Sequence, residues 1–349
     1  MNLVFVAPSL PYPSGGVAVV FEFAKAMARR GHASHVYHVP FAPGTISGLD
    51  DIPWFDFGDD GVIHHFAPPR EYDLETLRRA DVYFGYRHEE GGPEISGLPV
   101  VFIQGYRLLD REYERRAYHS PCPKVCVASW LVDVGRELGV PEAELVHVPL
   151  GLRHDKYSLR RPVHGRRPLV SFCYNLHRQK GAAVGLEVLA RAKERVPELE
   201  AVLFGTTAAE HSFPDWIEYR VDPLQEELVD EIYNASRVFL CTSDVEGFGL
   251  PGLEAMACGS AVVTTDNGGS RDYAVHDRTA LVAAPGDVDT LVEHVVSLLT
   301  DDERRTRLAE AGLEHVRRFD WDASGALLEE FLERYRADPE SYGVRRATG

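Results

Sequence analysis

Two glutamates in one short stretch are the residues best suited to chemistry in this chain. Residues 243–263 read SDVEGFGLPGLEAMACGSAVV, where Glu246 and Glu254 flank a turn that holds three glycines and a proline. The pattern predicts a strand over 237–243 and a short helix over 253–259. The turn therefore joins the carboxyl end of a strand to the start of a helix, which is where open parallel sheets bind ligands.

This turn has the parts of an anion site beside two hydroxyl-binding groups. Free backbone N–H groups at a helix start favour a phosphate by roughly 0.3–1 kcal/mol per charge when exposed, and up to about 2 kcal/mol when partly buried. Gly247, Gly249 and Gly252 allow the backbone to approach a phosphate closely. Glu254 lies one turn into the helix, where its carboxylate can accept two hydrogen bonds from a diol such as a ribose. Glu246 would face hydroxyl groups beyond the phosphates.

The elements that must position this turn repeat along the chain. Near-continuous apolar strands alternate with amphipathic helices, which is typical of parallel sheets covered on both faces. The series runs twice, on either side of a proline- and arginine-rich stretch near 153–168, and 349 residues exceed what one core usually covers. We therefore predict an α/β protein with two Rossmann-like domains. The first covers 1–162 together with a C-terminal helix in 322–349, and the second covers 163–321.

The C-terminal segment carries one apolar face that needs a surface to cover. Leu327, Leu328, Phe331, Leu332 and Tyr335 form a stripe at helical spacing. The second domain already has its share of helices, so this helix is left over once that domain is complete.

Composition limits the partners. With 37 basic and 54 acidic residues the formal net charge is −17, which disfavours a nucleic-acid duplex or an anionic membrane surface as the main partner. No window approaches the ~18 apolar residues of a membrane span, and the N-terminus resembles a core strand more than a leader. Five scattered cysteines suit reduced thiols in a cytoplasmic protein.

A second glycine turn lies near the N-terminus. Gly15 and Gly16, in SLPYPSGGVAVVF, follow the first predicted strand and precede the first predicted helix. The turn lacks the complete GxGxxG fingerprint. Two interpretations stay open: the pair only makes the turn, or it contacts the same diphosphate as the glutamates.

The stretch EGFGLPGLEAMACGSAVVTTDNGG resembles the E-x7-E signature of retaining glycosyltransferases of family 4, which have the GT-B fold. Further similarity lies in PSLPYPSGGV near the N-terminus, HVPLGLRHDKY at the domain junction, KG at 180–181 and DRTALVAAPGD near 277–287. The resemblance thus extends over most of the chain. It implies two domains with a deep cleft between them and a last helix that crosses back to the first domain.

The resemblance also implies roles around a nucleoside-diphosphate sugar. Glu254 would bind the ribose and Glu246 the donor sugar. A lysine that matches Lys180 would neutralise the diphosphate. The family's arginine would fall at Asn175, which we keep as a donor-site candidate, and Arg178 is a substitute with a different reach.

Further donor contacts follow from the same resemblance. The backbone of Phe248, Gly249 and Leu250 would contact sugar and phosphate. Asn267 and Gly268, with Gly269, follow a strand and either border the donor sugar or form a simple turn.

The implied reaction moves a sugar from a nucleoside-diphosphate sugar to an acceptor hydroxyl with retention at the anomeric carbon. No Asp-x-Asp type motif stands at a predicted strand end, so we expect neither an obligatory metal nor another cofactor. The acceptor would be a carbohydrate, a lipid-linked compound or a small molecule, and peripheral contact with a membrane is left open. The products would belong to glycan, glycoconjugate or glycosylated natural-product synthesis.

The residues that would bind the acceptor are indicated only by their place after predicted strands. His88, Gln104 and Tyr106 follow strands of the first domain and are our candidates, although a local structural role fits each equally well. The family's histidine pair is not found here. The FIQGY stretch resembles a subset of bacterial polysaccharide transferases, some of which use deoxysugar donors such as dTDP-rhamnose.

Two other classes of function remain as alternatives. One is a GT-B nucleotide-sugar epimerase or pseudo-glycosyltransferase, and the other is a nucleotide-sugar-binding protein without catalysis. An NAD-dependent dehydrogenase fits poorly because neither half has the complete dinucleotide fingerprint.

Overall fold

The computed structural model describes residues 1–40, 46–66, 79–85, 97–108, 111–208 and 212–344. The chain forms two compact units. The first comprises Met1 to Gly151 and the segment that begins at Trp321, and the second runs from Leu152 to Asp320. Each unit is built on one parallel sheet with helices packed on it.

The units divide at 151/152 and 320/321, whereas the sequence placed the boundaries at 162/163 and 321/322. The first difference arises because the segment after Gly151 packs into the second unit. Its backbone N–H groups at Arg160 and Arg161 donate to the side-chain oxygen of Asn234 over 2.7 and 3.2 Å. Arg166, in the proline- and arginine-rich stretch, is buried and donates to the carbonyl of Cys258.

In the part of the first unit that the structure describes, the sheet has seven strands. They are β1 (Asn2–Ser9), β2 (Ala33–Pro40), β3 (Ile63–His65), β4 (Val82–Phe84), β5 (Leu98–Ile103), β6 (Lys124–Cys126) and β7 (Leu145–His147). Their order is β3-β2-β1-β4-β5-β6-β7, and all paired neighbours are parallel. Helices α1 (Gly15–Arg29), α2 (Arg111–Tyr118) and α3 (Ser129–Glu137) belong to this unit.

The described residues of the second unit form a sheet of six parallel strands. They are β8 (Leu169–Cys173), β9 (Glu200–Gly205), β10 (Ile217–Val221), β11 (Val238–Cys241), β12 (Ala261–Thr265) and β13 (Ala280–Ala283), in the order β10-β9-β8-β11-β12-β13. The helices are α4 (Ala182–Arg195), α5 (Leu250–Ala257), α6 (Val288–Thr300) and α7 (Asp302–Val316). Between β10 and β11 the chain forms a π-helix, Glu227–Tyr233.

The central strands are buried on both faces, as their uninterrupted apolar sequences require. Every residue of β12 is buried, and four of the five residues of β8 are buried. From β8 the chain moves to β9 and β10 on one side, and from β11 to β12 and β13 on the other. The sheet therefore has a topological switch point between β8 and β11, where a crevice opens at the carboxyl ends.

Helix α8 (Trp321–Ala337) returns to the first unit and packs on α1. Trp321 lies edge-to-face on Phe23, with ring centroids 5.2 Å apart. A Cβ atom on Gly325 would lie 3.1 Å from that of Ala26, so the two helices approach closely. Four members of the predicted apolar stripe are buried, but Leu327 is 44% exposed because it lies on the outer side of the helix.

Over the described ranges, no helix combines the length and the apolar character that crossing a bilayer requires.

Candidate functional site

The loops that follow β8 and β11 are fastened to each other at the switch point of the second sheet. The Asp244 N–H donates to the carbonyl of Gln179 over 2.8 Å, and the Thr242 hydroxyl donates to the carbonyl of Gly181 over 2.8 Å. Gly181 has a φ of +65°, and a Cβ atom there would overlap the Thr242 carbonyl group. The glycine of the KG pair therefore lets the two loops meet, which brings Lys180 beside the loop that carries Glu246.

Lys180 and Glu246 form a bidentate ion pair. The Lys180 ammonium lies 2.8 Å from both carboxylate oxygens of Glu246, and the Ser243 hydroxyl donates to Oε1 over 2.7 Å. Burial opposes the positive charge of Lys180, but the Glu246 carboxylate more than offsets this, so the Lys180 pKa is raised. The Lys180 side chain is 33% exposed and that of Glu246 14% exposed. The pair is thus a charged, oriented element at the edge of the crevice.

The turn between the glutamates is shaped by a buried tyrosine. Gly249 has a φ of +87° and precedes the first residue of α5, Leu250. The Tyr273 hydroxyl donates to the Gly249 carbonyl over 2.9 Å, and a Cβ atom on Gly252 would overlap that hydroxyl. Glycine is therefore required at 252 because a side chain there would overlap Tyr273. The sequence analysis explained this glycine by close approach of the backbone to a phosphate.

Phe248 lies in this turn with its side chain buried. Gly269 packs against its backbone, because a Cβ atom at 269 would lie 2.7 Å from the Phe248 backbone atoms. The buried side chain of Phe248 is therefore withdrawn from a ligand, and contact of its backbone with a donor stays a prediction.

The loop after β12 holds the first glutamate by its backbone. The Glu246 N–H donates to the carbonyl of Asn267 over 2.9 Å, and residues 246 and 268 form a short parallel bridge. The Asn267 side chain is buried and bonds to the Ser270 N–H and the Thr264 hydroxyl. Asn267 thus supports the site through its backbone, while its amide stabilises its own loop.

Glu254 lies on α5 with its carboxyl group between two tyrosines. The Tyr233 hydroxyl donates to Oε2 over 3.0 Å, and the Tyr157 hydroxyl also interacts with the carboxyl group. Desolvation raises the pKa of Glu254 to about 7, although the hydrogen bonds from both tyrosines act in the opposite direction. Glu254 is half-buried as a residue, so part of its side chain remains accessible.

The loop after β8 also carries two further donor-site candidates, Asn175 and Arg178. Asn175 and Arg178 are both exposed, and the side-chain oxygen of Asn175 accepts the His177 N–H over 2.8 Å. Asn175 therefore shapes the start of this loop. Arg178 opens a single 3₁₀ turn that ends at Lys180, so the two cations share one short element.

The remaining candidate donor and acceptor residues belong to the first unit and follow strands of its sheet. Gly15 and Gly16 begin α1. Among the described residues no heavy atom lies within 4 Å of a Cβ position on Gly15, and the Gln104 Oε1 atom lies 3.2 Å from one on Gly16. The Tyr106 ring packs edge-to-face on Tyr118, with centroids 5.8 Å apart. The glycine turn after β1 and the loop after β5 therefore meet through Gln104. His88 lies outside the described residues.

Comparison with known sequences agrees with this arrangement. Residues 160–315 match the family model described as glycosyl transferases group 1. The chain is 31% identical over 191 residues to the alpha-maltose-1-phosphate synthase of Mycolicibacterium smegmatis, covering 49% of this chain and 48% of that protein. It is 28% identical over 203 residues to the D-inositol 3-phosphate glycosyltransferase of Corynebacterium efficiens, covering 54% and 47%. The chain spans about half the length of these curated relatives.

Solved structures match over nearly the whole chain. Sucrose-phosphate synthase from Thermosynechococcus elongatus superposes with a TM-score of 0.73 at 17% identity, covering 96% of this chain and 99% of that one. HepE from Anabaena, crystallised with UDP and glucose, gives 0.73 at 14% identity, covering 95% and 99%. The fold is GT-B. The return of α8 to the first unit agrees with what the GT-B resemblance implied.

Four residues of this GT-B site were missed at the level of sequence. They are Tyr157, Tyr233, Ser243 and Tyr273. Ser243 was within reach, because it ends the strand that leads to Glu246. The tyrosines carry no local signal: they come from three separate segments, and only the folded sheet brings them to the two glutamates.

Proposed function

We propose that this protein is a retaining glycosyltransferase of family 4 that moves a sugar from a nucleoside-diphosphate sugar to an acceptor hydroxyl. The proposal rests on one observation. A lysine–glutamate pair, a glycine-led helix start and a second, half-buried glutamate lie at the carboxyl edge of one sheet. Matches to glycosyl transferases group 1 and to named sugar transferases support it.

The diphosphate would be held by positive charge that is already in place. Lys180 and Arg178 share one turn, and the first N–H groups of α5 follow Gly249. Groups fixed before the reaction stabilise developing charge without reorganisation, which is the largest single contribution in many enzymes. Because Lys180 is paired with Glu246, a donor bound by Lys180 would share or displace that contact. Glu246 would then turn toward a hydroxyl of the donor sugar.

The ribose would be held by Glu254. A carboxylate accepts two hydrogen bonds from a vicinal diol, and hydrogen bonds to a charged group contribute about 1.5–3 kcal/mol each. A ligand that lacks one hydroxyl should therefore bind more weakly.

The transfer itself breaks the bond between the anomeric carbon and the β-phosphate oxygen and forms a bond to the acceptor oxygen on the same face. The departing phosphate takes the acceptor's proton, so the protein need not supply a base. Lys180 stabilises the charge that grows on this phosphate. Independence from metal ions remains a prediction, and so does a cytoplasmic location.

Donor and acceptor are proposed only by class. UDP is the first nucleotide to examine because the Anabaena neighbour was crystallised with UDP and glucose. The acceptor class remains a carbohydrate, a lipid-linked compound or a small molecule, with the FIQGY resemblance to dTDP-rhamnose users as a second lead.

A binding experiment tests the donor assignment. UDP, GDP, dTDP and ADP would be compared by thermal shift, since a bound nucleotide raises the melting temperature according to its affinity. The ligand that binds would then be compared with its 2′-deoxy or 2′-hydroxy counterpart in the wild type and in Glu254→Ala. Glu198→Ala is the matched control, because Glu198 is exposed and precedes β9 at the opposite edge of the sheet. Equal nucleotide affinity in the wild type and Glu254→Ala would refute the ribose assignment.

A turnover experiment tests the reaction. A transferase releases free nucleotide from the nucleotide sugar only when an acceptor alcohol is present. A changed sugar that is still attached to its nucleotide, formed without an acceptor, would indicate an epimerase. Donor binding without nucleotide release or sugar change, with any acceptor, would indicate a binding protein.

A further inference from the structure

Two tyrosine side chains that belong to no recognised sequence motif contact the carboxyl group of Glu254. The Tyr233 hydroxyl donates to its Oε2 atom over 3.0 Å, and the Tyr157 hydroxyl interacts with the same carboxyl group. The rings of Tyr157 and Tyr233 lie with their centroids 6.4 Å apart. Tyr157 can also donate to the side-chain oxygen of Gln225 over 3.4 Å. The carboxyl group is therefore directed by hydroxyl donors from two separate segments of the second unit.

Tyr233 owes its place to an irregular helix. The segment Glu227–Tyr233 is π-helical, and the Asn234 N–H bonds to the carbonyl of Val229 over 2.9 Å. Such turns are rare and occur often at functional sites. In a regular α-helix each residue turns by about 100°, so removing one residue of the wide turn would rotate Tyr233 away from Glu254.

The end of this π-helix is firmly held. The Ser260 hydroxyl donates to the Tyr233 carbonyl over 2.8 Å, and the Tyr233 ring packs edge-to-face on Phe204 and Phe239. Next to it, the buried Asn234 amide donates to the carbonyl of Ser158 over 3.0 Å. One helix end therefore fixes Tyr233 directly and also fixes the segment that carries Tyr157.

We propose that Tyr233, presented by the π-helix, is a positioning residue that aims the Glu254 carboxylate at the ribose diol of the donor. This inference rests on the proposed function. The hydroxyls of Tyr233 and Tyr157 engage part of the Glu254 carboxylate. Its two oxygens offer about four acceptor positions in all, so positions remain for a diol. The hydrogen bond that Tyr233 donates also favours the carboxylate form, the form that accepts two hydroxyl donors.

Glu254 is the group of this cluster that titrates near neutrality. The titratable side chains that interact with it are Tyr157, Tyr233, Tyr273, Cys173 and Cys258. Burial raises the pKa of all five, so they stay neutral where Glu254, with a pKa of about 7, changes charge. Donor affinity should accordingly fall as the pH drops through about 7, and loss of the Tyr233 hydrogen bond should move that fall to a higher pH.

Tyr233→Phe tests the proposal because it keeps the packed ring and removes only the hydroxyl. At pH 7 we expect about ten-fold weaker binding of the stabilising nucleotide, measured by calorimetry. We expect the midpoint of the affinity-against-pH curve to rise by about one pH unit. The donor KM should rise with little change in kcat. Tyr335→Phe is the matched control, since it removes a buried hydroxyl that donates to the Pro99 carbonyl over 2.9 Å in the first unit.

A ligand-free measurement separates this inference from the proposed function. Carbon-13 NMR of glutamate-labelled protein follows the Glu254 carboxyl, which is assigned by its loss in Glu254→Gln. A higher midpoint in Tyr233→Phe supports the proposal even if none of UDP, GDP, dTDP and ADP binds, a result that would count against the donor assignment alone. An unchanged Glu254 midpoint in Tyr233→Phe, or weaker binding with an unchanged pH curve, overturns the positioning role.

Discussion

Gly252 is the position where one added methyl group should most disturb the turn between the two glutamates. A Cβ atom there would overlap the Tyr273 hydroxyl and lie 3.2 Å from the ring carbon that carries it. The Tyr273 ring is 1% exposed, and its hydroxyl donates to the Gly249 carbonyl over 2.9 Å. The ring therefore has little room to yield, and yielding would break a buried hydrogen bond.

The cost of Gly252→Ala can be assembled from these contacts. Overpacking costs about 1–3 kcal/mol. An unpaired Gly249 carbonyl adds about 1–3 kcal/mol. Alanine returns about 1 kcal/mol of helix propensity, because residue 252 lies in the first turn of α5. The free energy of unfolding should fall by about 3 kcal/mol, within a range of about 1–5 kcal/mol.

A double-mutant cycle tests this account. Tyr273→Phe alone removes the hydrogen bond to Gly249 and costs about 1 kcal/mol. In the double mutant the overlapping oxygen is gone, and the nearest ring atoms lie 3.2 and 3.3 Å from the new methyl group. We therefore expect the double mutant to be more stable than the sum of the single effects by at least about 1 kcal/mol.

Urea unfolding of the four proteins gives the required free energies. Gly48→Ala is the control, because no heavy atom of the described residues lies within 4 Å of its Cβ position and its φ is extended. It should change stability by less than about 0.5 kcal/mol. Strictly additive effects of Gly252→Ala and Tyr273→Phe would refute the contact between them as the reason for glycine at 252.

Three further predictions concern charge, pH and helix docking. Lys180→Ala should lower kcat about 10²- to 10³-fold with the fold intact, because it removes the cation beside Glu246. Nucleotide release measures this, and a wild-type kcat would contradict the role. Burial, together with the electrostatic effect of His64 and His65, lowers the pKa of His38 from 6.5 to about 3. Its contribution to stability is complete above pH 6.5 and is lost as the pH falls, by roughly 2 kcal/mol at pH 5. Urea unfolding against pH would show this loss, and an equal acid slope in His38→Asn would contradict it. Gly325→Val should detach α8 from Ala26, costing about 2 kcal/mol and exposing α8 to protease. Protection equal to that of Gly325→Ala would exclude this effect.

Much of the architecture follows from local patterns. Apolar strands alternating with helices predicted two parallel sheets, and the stripe from Leu328 to Tyr335 predicted a helix that needs another surface. The strand–turn–helix around Glu246 and Glu254 is also as predicted. These features depend on periodicity and on chain order, which a sequence displays directly.

Features that depend on contacts between distant segments were not predictable. The segment 152–162 belongs to the second unit because Asn234 binds its backbone, and nothing near residue 160 signals that partner. Glycine is required at 252 because of contact with a tyrosine 21 residues later. This contact exists only in the folded protein, where α5 and Tyr273 meet. The π-helical turn that presents Tyr233 has the same residue types as an ordinary amphipathic helix.

The docking of α8 on α1 has a consequence for synthesis on the ribosome. Phe23 and Ala26 need a cover that is encoded some 300 residues later, after the whole second unit. Most of the first unit is translated first, but its fold cannot be completed until α8 has emerged from the exit tunnel. During that interval the apolar surface of α1 stays uncovered. Nascent chains should therefore depend on chaperones most while the second unit is being synthesised.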